Sequence, residues 1–371
     1  MHDQLTAYID FKSPYAYLAI EPTRLLAKEL NLKINWLPFV LDIPSYLGSA
    51  KLDASGVVAE QSRSADQWSK VKYAYYDCRR YATLRGMTIR GTVKIWDTHL
   101  AAIGMLWAKQ QGDDVLDRYI DSIYMPFWKR KLEADKFDVI QNVLADAGAE
   151  VSGFSAFSKD AGAVQNHDIQ TRAFAQGIFG VPSYVQGDEI FFGREHLPRI
   201  RWNLQGATGT APDIAYELMP DDIVEKVTGH TLDAWINKED PESCIAIRQI
   251  ISLAKELDLT VNWHQLEKAK PHREPDKTDE SRGARHHRYR VENRARDQHR
   301  YMRQILEGGN TGGSIDRLLK ENDICLQDGE VPAAWAGMTS QSGYVGSPVF
   351  RIGEETFVGR QHLPLIRARF E

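Results

Sequence analysis

A hydroxyl and a proline meet at Ser13-Pro14, inside the stretch Leu5–Leu30, LTAYIDFKSPYAYLAIEPTRLLAKEL. The stretch reads as a short apolar strand, then the Ser-Pro pair, then a helix. Serine is a favoured N-cap, because its oxygen takes one of the orphan N–H groups of the first turn. Proline suits the first helical position, which needs no N–H. The pair thus sets a hydroxyl at the positive end of a helix, where an anion is stabilised, a thiolate among them. Ser-Pro also serves as a helix cap without further function, and both readings remain open on these residues alone. Disulfide exchange would need Cys-x-x-Cys at such a turn, and Ser13, Pro14, Tyr15 and Ala16 stand there instead.

The elements that position this turn occur twice. Leu5–Pro44 aligns with Leu232–Pro271 without a gap, and 15 of 40 residues are identical, where chance gives about two or three. Gly180–Asn203 aligns with Gly346–Arg369 with 12 of 24 identical. The chain therefore reads as a tandem duplication: residues 1–204, a Gly/Thr/Pro-rich linker over 205–231, and a second copy over 232–371. Each copy runs strand, helix, strand, helical insertion, Gly-x-Pro, hairpin and final helix, which predicts a small α/β sandwich. The first insertion, about 45–179, is expected to hold helices over Gln67–Arg85, Asp97–Gln111 and Asp138–Ala147. The second is shorter and keeps an Arg-rich helix near Arg285–Leu306 and a short one near Ile315–Lys320. Asp240 takes the place of Ser13 in the second copy. It caps a helix as well as serine does, but its charge opposes a thiolate, so the second copy is expected to have kept the fold and lost the chemistry.

Composition sets the frame. The 371 residues carry a net charge of −5, with 43% hydrophobic and 26% charged residues, an ordinary globular balance that supplies no basic field for nucleic acid or membrane. The first strand starts at Leu5 with no leader-like segment before it, and no apolar run is long enough to span a bilayer. Cys78, Cys244 and Cys325 are scattered, which fits free thiols, a reduced compartment and no metal site. A cytoplasmic location is expected. The basic stretch Arg282–Arg303 is read as a solvated helix, or one facing acids of the first domain, rather than a nucleic-acid element.

Several ordered motifs bear a family resemblance: DFKSPYAYLA at Asp10–Ala19, KVKYAYYDCRRYA at Lys70–Ala82, GIFGVPSYV at Gly177–Val185 and FFGREHL at Phe191–Leu197. Together they resemble the 2-hydroxychromene-2-carboxylate isomerases, which group with kappa-class glutathione transferases in the DsbA-like thioredoxin superfamily. The resemblance implies a DsbA-like thioredoxin fold interrupted by a helical insertion, present here in the two copies that the internal repeat shows, with glutathione as cofactor and a small aromatic catabolite as substrate. It implies that Ser13 is catalytic and holds the glutathione sulfur, with Val181, a cis Pro182, Arg194, Glu195 and Lys70 as further glutathione contacts. Tyr15, Tyr73, Tyr76 and Trp107 are the expected substrate-pocket residues. A kappa-like transferase or peroxidase, or a thioredoxin-like binding protein without turnover, are the competing readings. Because relatives of this kind are usually dimers, the tandem is expected to form a pseudo-dimer within one chain, with a homodimer left open. His196 recurs as His362 and is assigned a folding or interface role.

Overall fold

The computed structural model describes residues 4–53, 55–238, 240–266, 278–307, 315–328 and 348–371. The first elements are β1 (Gln4–Ile9), α1 (Pro14–Leu30) and β2 (Lys33–Pro38). β2 runs parallel to β1, Leu5 facing Ile34, as a strand–helix–strand crossover requires. α1 begins at the Ser13 cap and ends at Asn31, whose left-handed φ of 50° lets its N–H reach the carbonyls of Ala27 and Lys28. Pro22 lies inside this helix and cannot donate to the carbonyl of Leu18. Arg85 supplies the missing donor, its guanidinium lying 3.0 Å from that oxygen.

The insertion comprises α2 (Ile43–Leu47), the hairpin β3 (Ala50–Leu52) and β4 (Val58–Gln61), then α3 (Ala65–Leu84), α4 (His99–Lys109), α5 (Asp113–Trp128), α6 (Phe137–Asp146), α7 (Phe154–Lys159) and α8 (Ala161–Ala175). Helices α3, α4 and α6 lie close to the spans expected from periodicity. The chain then returns to the sheet as β5 (Ser183–Gln186) and β6 (Glu189–Phe192), giving the order β2-β1-β5-β6 among the described residues. Gly187, at φ 58°, opens the two-residue hairpin loop, the position where mirror-image turns favour glycine. A single turn at Arg194–His196 leads into α9 (Leu197–Leu204).

After residue 230 the same order recurs with β7 (Thr231–Ile236), α10 (Pro241–Leu257), β8 (Thr260–Gln265), α11 (Arg282–Glu307), α12 (Ile315–Glu321), β9 (Gln327–Asp328), β10 (Val349–Ile352), β11 (Glu355–Val358) and α13 (Leu363–Phe370). Their strands form a second sheet, β11-β10-β7-β8-β9. This is a DsbA-like thioredoxin fold with helical insertion, followed by a second sheet-and-helix region of the kind a second copy requires. Gly346 and Ser347 of the second Gly-x-Pro, and Pro271 of the first repeat block, lie outside the described residues.

Compactness does not follow the chain continuously. One unit comprises Met1–Arg63, Ala74–Arg194 and Ser281–Tyr289, and the other Ser64–Tyr73, Glu195–Glu280 and Arg290–Glu371. The core of the first unit is formed by residues such as Leu5, Ala7, Leu18, Leu26, Tyr119, Ile123, Phe154 and Phe191, all at most 2% exposed. The start of α11 joins this unit: Arg282 pairs with Asp42 at 3.4 Å, His286 stacks on Tyr46, and Arg285 lies over Phe174.

Candidate functional site

Ser13 is fixed from three directions. Its backbone sits at φ −96°, ψ 116°, the extended geometry of a helix cap, and its Oγ accepts the N–H of Ala16 at 3.2 Å. The Ser13 hydroxyl donates to the carbonyl of Val181 at 3.3 Å, and the Val181–Pro182 peptide bond is cis. The backbone N–H of Ser13 donates to the carbonyl of Asp10 at 3.0 Å. Strand β1, helix α1 and the turn before β5 thus converge on one hydroxyl, itself only 4% exposed.

Beneath the turn is a polar network that sequence reasoning missed. The Asp10 carboxylate accepts the N–H of Leu41 at 2.7 Å and the hydroxyl of Thr98 at 2.6 Å, and lies 3.6 Å from the Lys12 ammonium. Lys12 donates in turn to the carbonyl of Trp96 at 3.3 Å. Asp10, Lys12 and Thr98 are buried, and a buried charge is retained only when paired and hydrogen-bonded in this way. The network ties the Ser13 turn to the residues just after β2 and to the start of α4. The acidic residue in Asp-Phe-Lys-Ser was the visible signal.

On α3, Asp77 and Arg80 form a buried pair at 3.1 Å. The Tyr15 hydroxyl approaches Asp77 at 3.5 Å, the limit of a hydrogen bond. Arg80 lies over the Tyr76 ring at 4.9 Å, and Arg194 over the Tyr81 ring at 4.5 Å. The first unit therefore holds Ser13, Tyr15, Tyr76, Val181, Pro182 and Arg194 of the expected set. Cys78, on the same helix, is fully buried, and that burial pushes its thiol well above the usual range. It is therefore a poor nucleophile.

Four expected residues are placed otherwise. Trp107 donates its indole N–H to the carbonyl of Glu150 at 2.7 Å, and its ring packs on Phe154 and Phe157. It stands at the far end of α4 from Thr98, about 13 Å along the helix axis, and its ring packs within the insertion. Lys70, Tyr73 and Glu195 belong to the second unit. There the Lys70 ammonium pairs with Asp66 at 2.9 Å, the Tyr73 hydroxyl accepts the N–H of Val358 at 3.1 Å, and the Glu195 carbonyl accepts the N–H of Ala215 at 2.9 Å. Tyr124, Phe127 and Trp128 are core residues, at most 2% exposed. His196 is buried in the second unit, and its Nδ1 shares a 2.6 Å hydrogen bond with the Tyr301 hydroxyl.

The second unit repeats more of the pattern than its strands and caps. Arg290-x-x-Asn293-x-x-x-Asp297-x-x-Arg300-Tyr301 parallels Lys70-x-x-Tyr73-x-x-x-Asp77-x-x-Arg80-Tyr81. Asp297 and Arg300 pair at 2.6 Å, and Arg360 lies 5.6 Å over Tyr301 as Arg194 lies over Tyr81. The likeness therefore extends beyond the strands, the helix cap and the final hairpin into the helical insertion. Comparing the two α-helical runs directly would have found it. Asp240 takes the serine's place with nearly the same backbone angles, φ −97°, ψ 116°, and accepts the N–H of Glu242 at 3.0 Å. Burial raises its carboxyl to about 6, against the pull of Arg294 and Arg360. Above that pH it presents a negative charge where the first unit presents a hydroxyl.

Residues 4–205 match the family model of the DSBA-like thioredoxin domain. Curated relatives include 2-hydroxychromene-2-carboxylate isomerase of Pseudomonas putida, 27% identical over 191 residues, covering 51% of this chain and 88% of that protein. The isomerase of the same name from Sphingobium xenophagum is 26% identical over 193 residues, covering 51% and 92%. A solved structure of 2-hydroxychromene-2-carboxylate isomerase aligns with a TM-score of 0.42 at 22% identity, covering 55% of this chain and 93% of that one. No helix of the described residues is long and apolar enough to cross a membrane. With that domain matched over more than half of its length, the chain belongs to the DSBA-like thioredoxin family.

Proposed function

We propose that the first unit is a glutathione-dependent isomerase of the 2-hydroxychromene-2-carboxylate type, acting on a small aromatic catabolite in the cytoplasm. The observation that carries this reading is the Ser13 hydroxyl, held at the N-terminus of a 17-residue helix and 3.3 Å from the Val181 carbonyl, where a disulfide oxidoreductase would carry cysteine. The names of the curated relatives support it.

The residues present fit a thiol-bearing ligand. The hydrogen bond from Ser13 to Val181 is long, so its proton can turn to an incoming sulfur at little cost. The first-turn N–H groups add a positive end to the same spot, and both favour a thiolate over a thiol. Val181, before its proline, suits pairing with an extended ligand backbone, and Arg194 suits a carboxylate. Glutathione would supply a thiol able to add reversibly to an unsaturated carbon, turning a double bond into a single bond that rotates. Ser13 would then hold the sulfur and stabilise its charge as the added bond breaks. Tyr15 and Tyr76 offer aromatic faces for the substrate ring, and the Asp77–Arg80 pair fixes the helix that carries Tyr76.

The test is turnover of 2-hydroxychromene-2-carboxylate, followed by absorbance with and without glutathione. Isomerisation that depends on glutathione is expected. Conjugation of chlorodinitrobenzene without isomerisation would favour a kappa-like transferase. Failure of glutathione to bind at millimolar concentration would leave only a binding protein without turnover.

A further inference from the structure

The linker after α9 carries a carboxylate into the second unit. Asp213 accepts from Arg360 through both oxygens, Nε to one at 2.7 Å and Nη2 to the other at 2.9 Å, and takes a third hydrogen bond from the Gln249 amide at 2.9 Å. The chain is pinned on each side of it. Arg199 holds the carbonyl of Pro212 at 3.0 Å, and the Tyr216 N–H donates to the carbonyl of Gln361 at 2.8 Å. A segment whose composition reads as a flexible connector is thus laid down from Pro212 onward.

Arg360 is a socket rather than a surface partner. Its side chain is 1% exposed, it also pairs with Glu242, and its guanidinium lies over Tyr301. In the internal repeat it corresponds to Arg194, each following the glycine that ends the hairpin. A planar guanidinium presenting its Nε–Nη2 edge selects a carboxylate by two parallel hydrogen bonds. We propose that Asp213 is a built-in ligand: it fills the second unit's carboxylate socket on Arg360, and removing its side chain creates a binding site for a free small carboxylate. The inference concerns the second unit alone and holds whether or not the first unit isomerises anything.

Chemical rescue in the full-length chain tests it. Asp213→Ala is expected to melt about 5 °C below wild type, since it strips one partner from a buried charge. Sodium acetate or formate should restore most of that loss saturably, with equal ionic strength of sodium chloride as control. Wild type should show no such carboxylate-specific gain, and Asp213→Ala/Arg360→Gln should lose it. Should Asp213→Ala fail to fold in plain buffer, its refolding yield in acetate against equal chloride carries the same comparison: recovery in acetate alone is expected, and equal yields overturn the proposal. Melting unchanged by the substitution, or rescue by chloride as large as by acetate, overturns the proposal.

Discussion

Ser13 and Asp240 occupy the same backbone geometry and both cap their helices, so capping cannot account for their difference. The contrast predicts that Ser13→Asp keeps the helix cap, with near wild-type stability at pH 4 and a buried-charge cost at pH 8, yet loses glutathione-dependent turnover, because the carboxylate opposes a thiolate. Ser13→Ala should lose both, about 1 kcal/mol of stability with the cap and roughly 100-fold in rate with the hydroxyl donor. Denaturant melts and initial rates of the two variants separate cap from chemistry. Asp240 itself titrates between its unfolded value near 3.8 and about 6 in the fold. The folded state binds the extra proton in that window, so stability is highest below it and falls as pH rises through 6. Asp240→Asn keeps the cap and removes the charge. It should therefore raise stability in urea melts at pH 8, by on the order of 2 kcal/mol, and leave it nearly unchanged at pH 4. Equal shifts at both pH values would contradict this.

Among the elements, α1 was legible because its determinants are local, the Ser-Pro start above all, and the structure adds the Asn31 stop. What the sequence hid is how α1 tolerates Pro22, since the donor that repairs it, Arg85, lies 67 positions from Leu18 along the chain. Arg85→Ala should cost roughly 1–2 kcal/mol, and less in a Pro22→Ala background, where the helix regains its own backbone donor to Leu18. A double-mutant cycle by urea denaturation measures this, and full additivity would refute the pairing. The candidate site divides in the same way. Ser13, Val181 and Pro182 were readable from contiguous motifs, whereas the Asp10–Thr98 contact depends on how the insertion folds back. Trp107 could not be sorted from its sequence, because an aromatic on an apolar helix face looks the same whether it lines a pocket or packs on Phe154 and Phe157. The basic α11 was read as a solvated helix or one facing acids of the first domain, and its Asp–Arg–Tyr run escaped notice because its arginines dominate the composition. Several of those arginines are engaged within their own units: Arg282 with Asp42, Arg294 with Asp240, and Arg300 with Asp297.

At the scale of the molecule, one chain carries a DsbA-like thioredoxin domain and, after residue 230, a second sheet-and-helix region; their equivalent turns differ in charge, and the arginine socket of the second, at Arg360, is filled by Asp213 of the linker. A chain that already holds two such regions in tandem is expected to sediment as a monomer, and a stable dimer at equilibrium would contradict that expectation. On the proposed function, the same asymmetry leaves one thiol site per chain, at Ser13. Calorimetric titration of the intact protein with glutathione addresses this most directly. The account predicts one site per chain, lost or weakened at least ~10-fold in Ser13→Ala and retained in Asp213→Asn. Two sites per chain, or a Ser13→Ala titration indistinguishable from wild type, would contradict it.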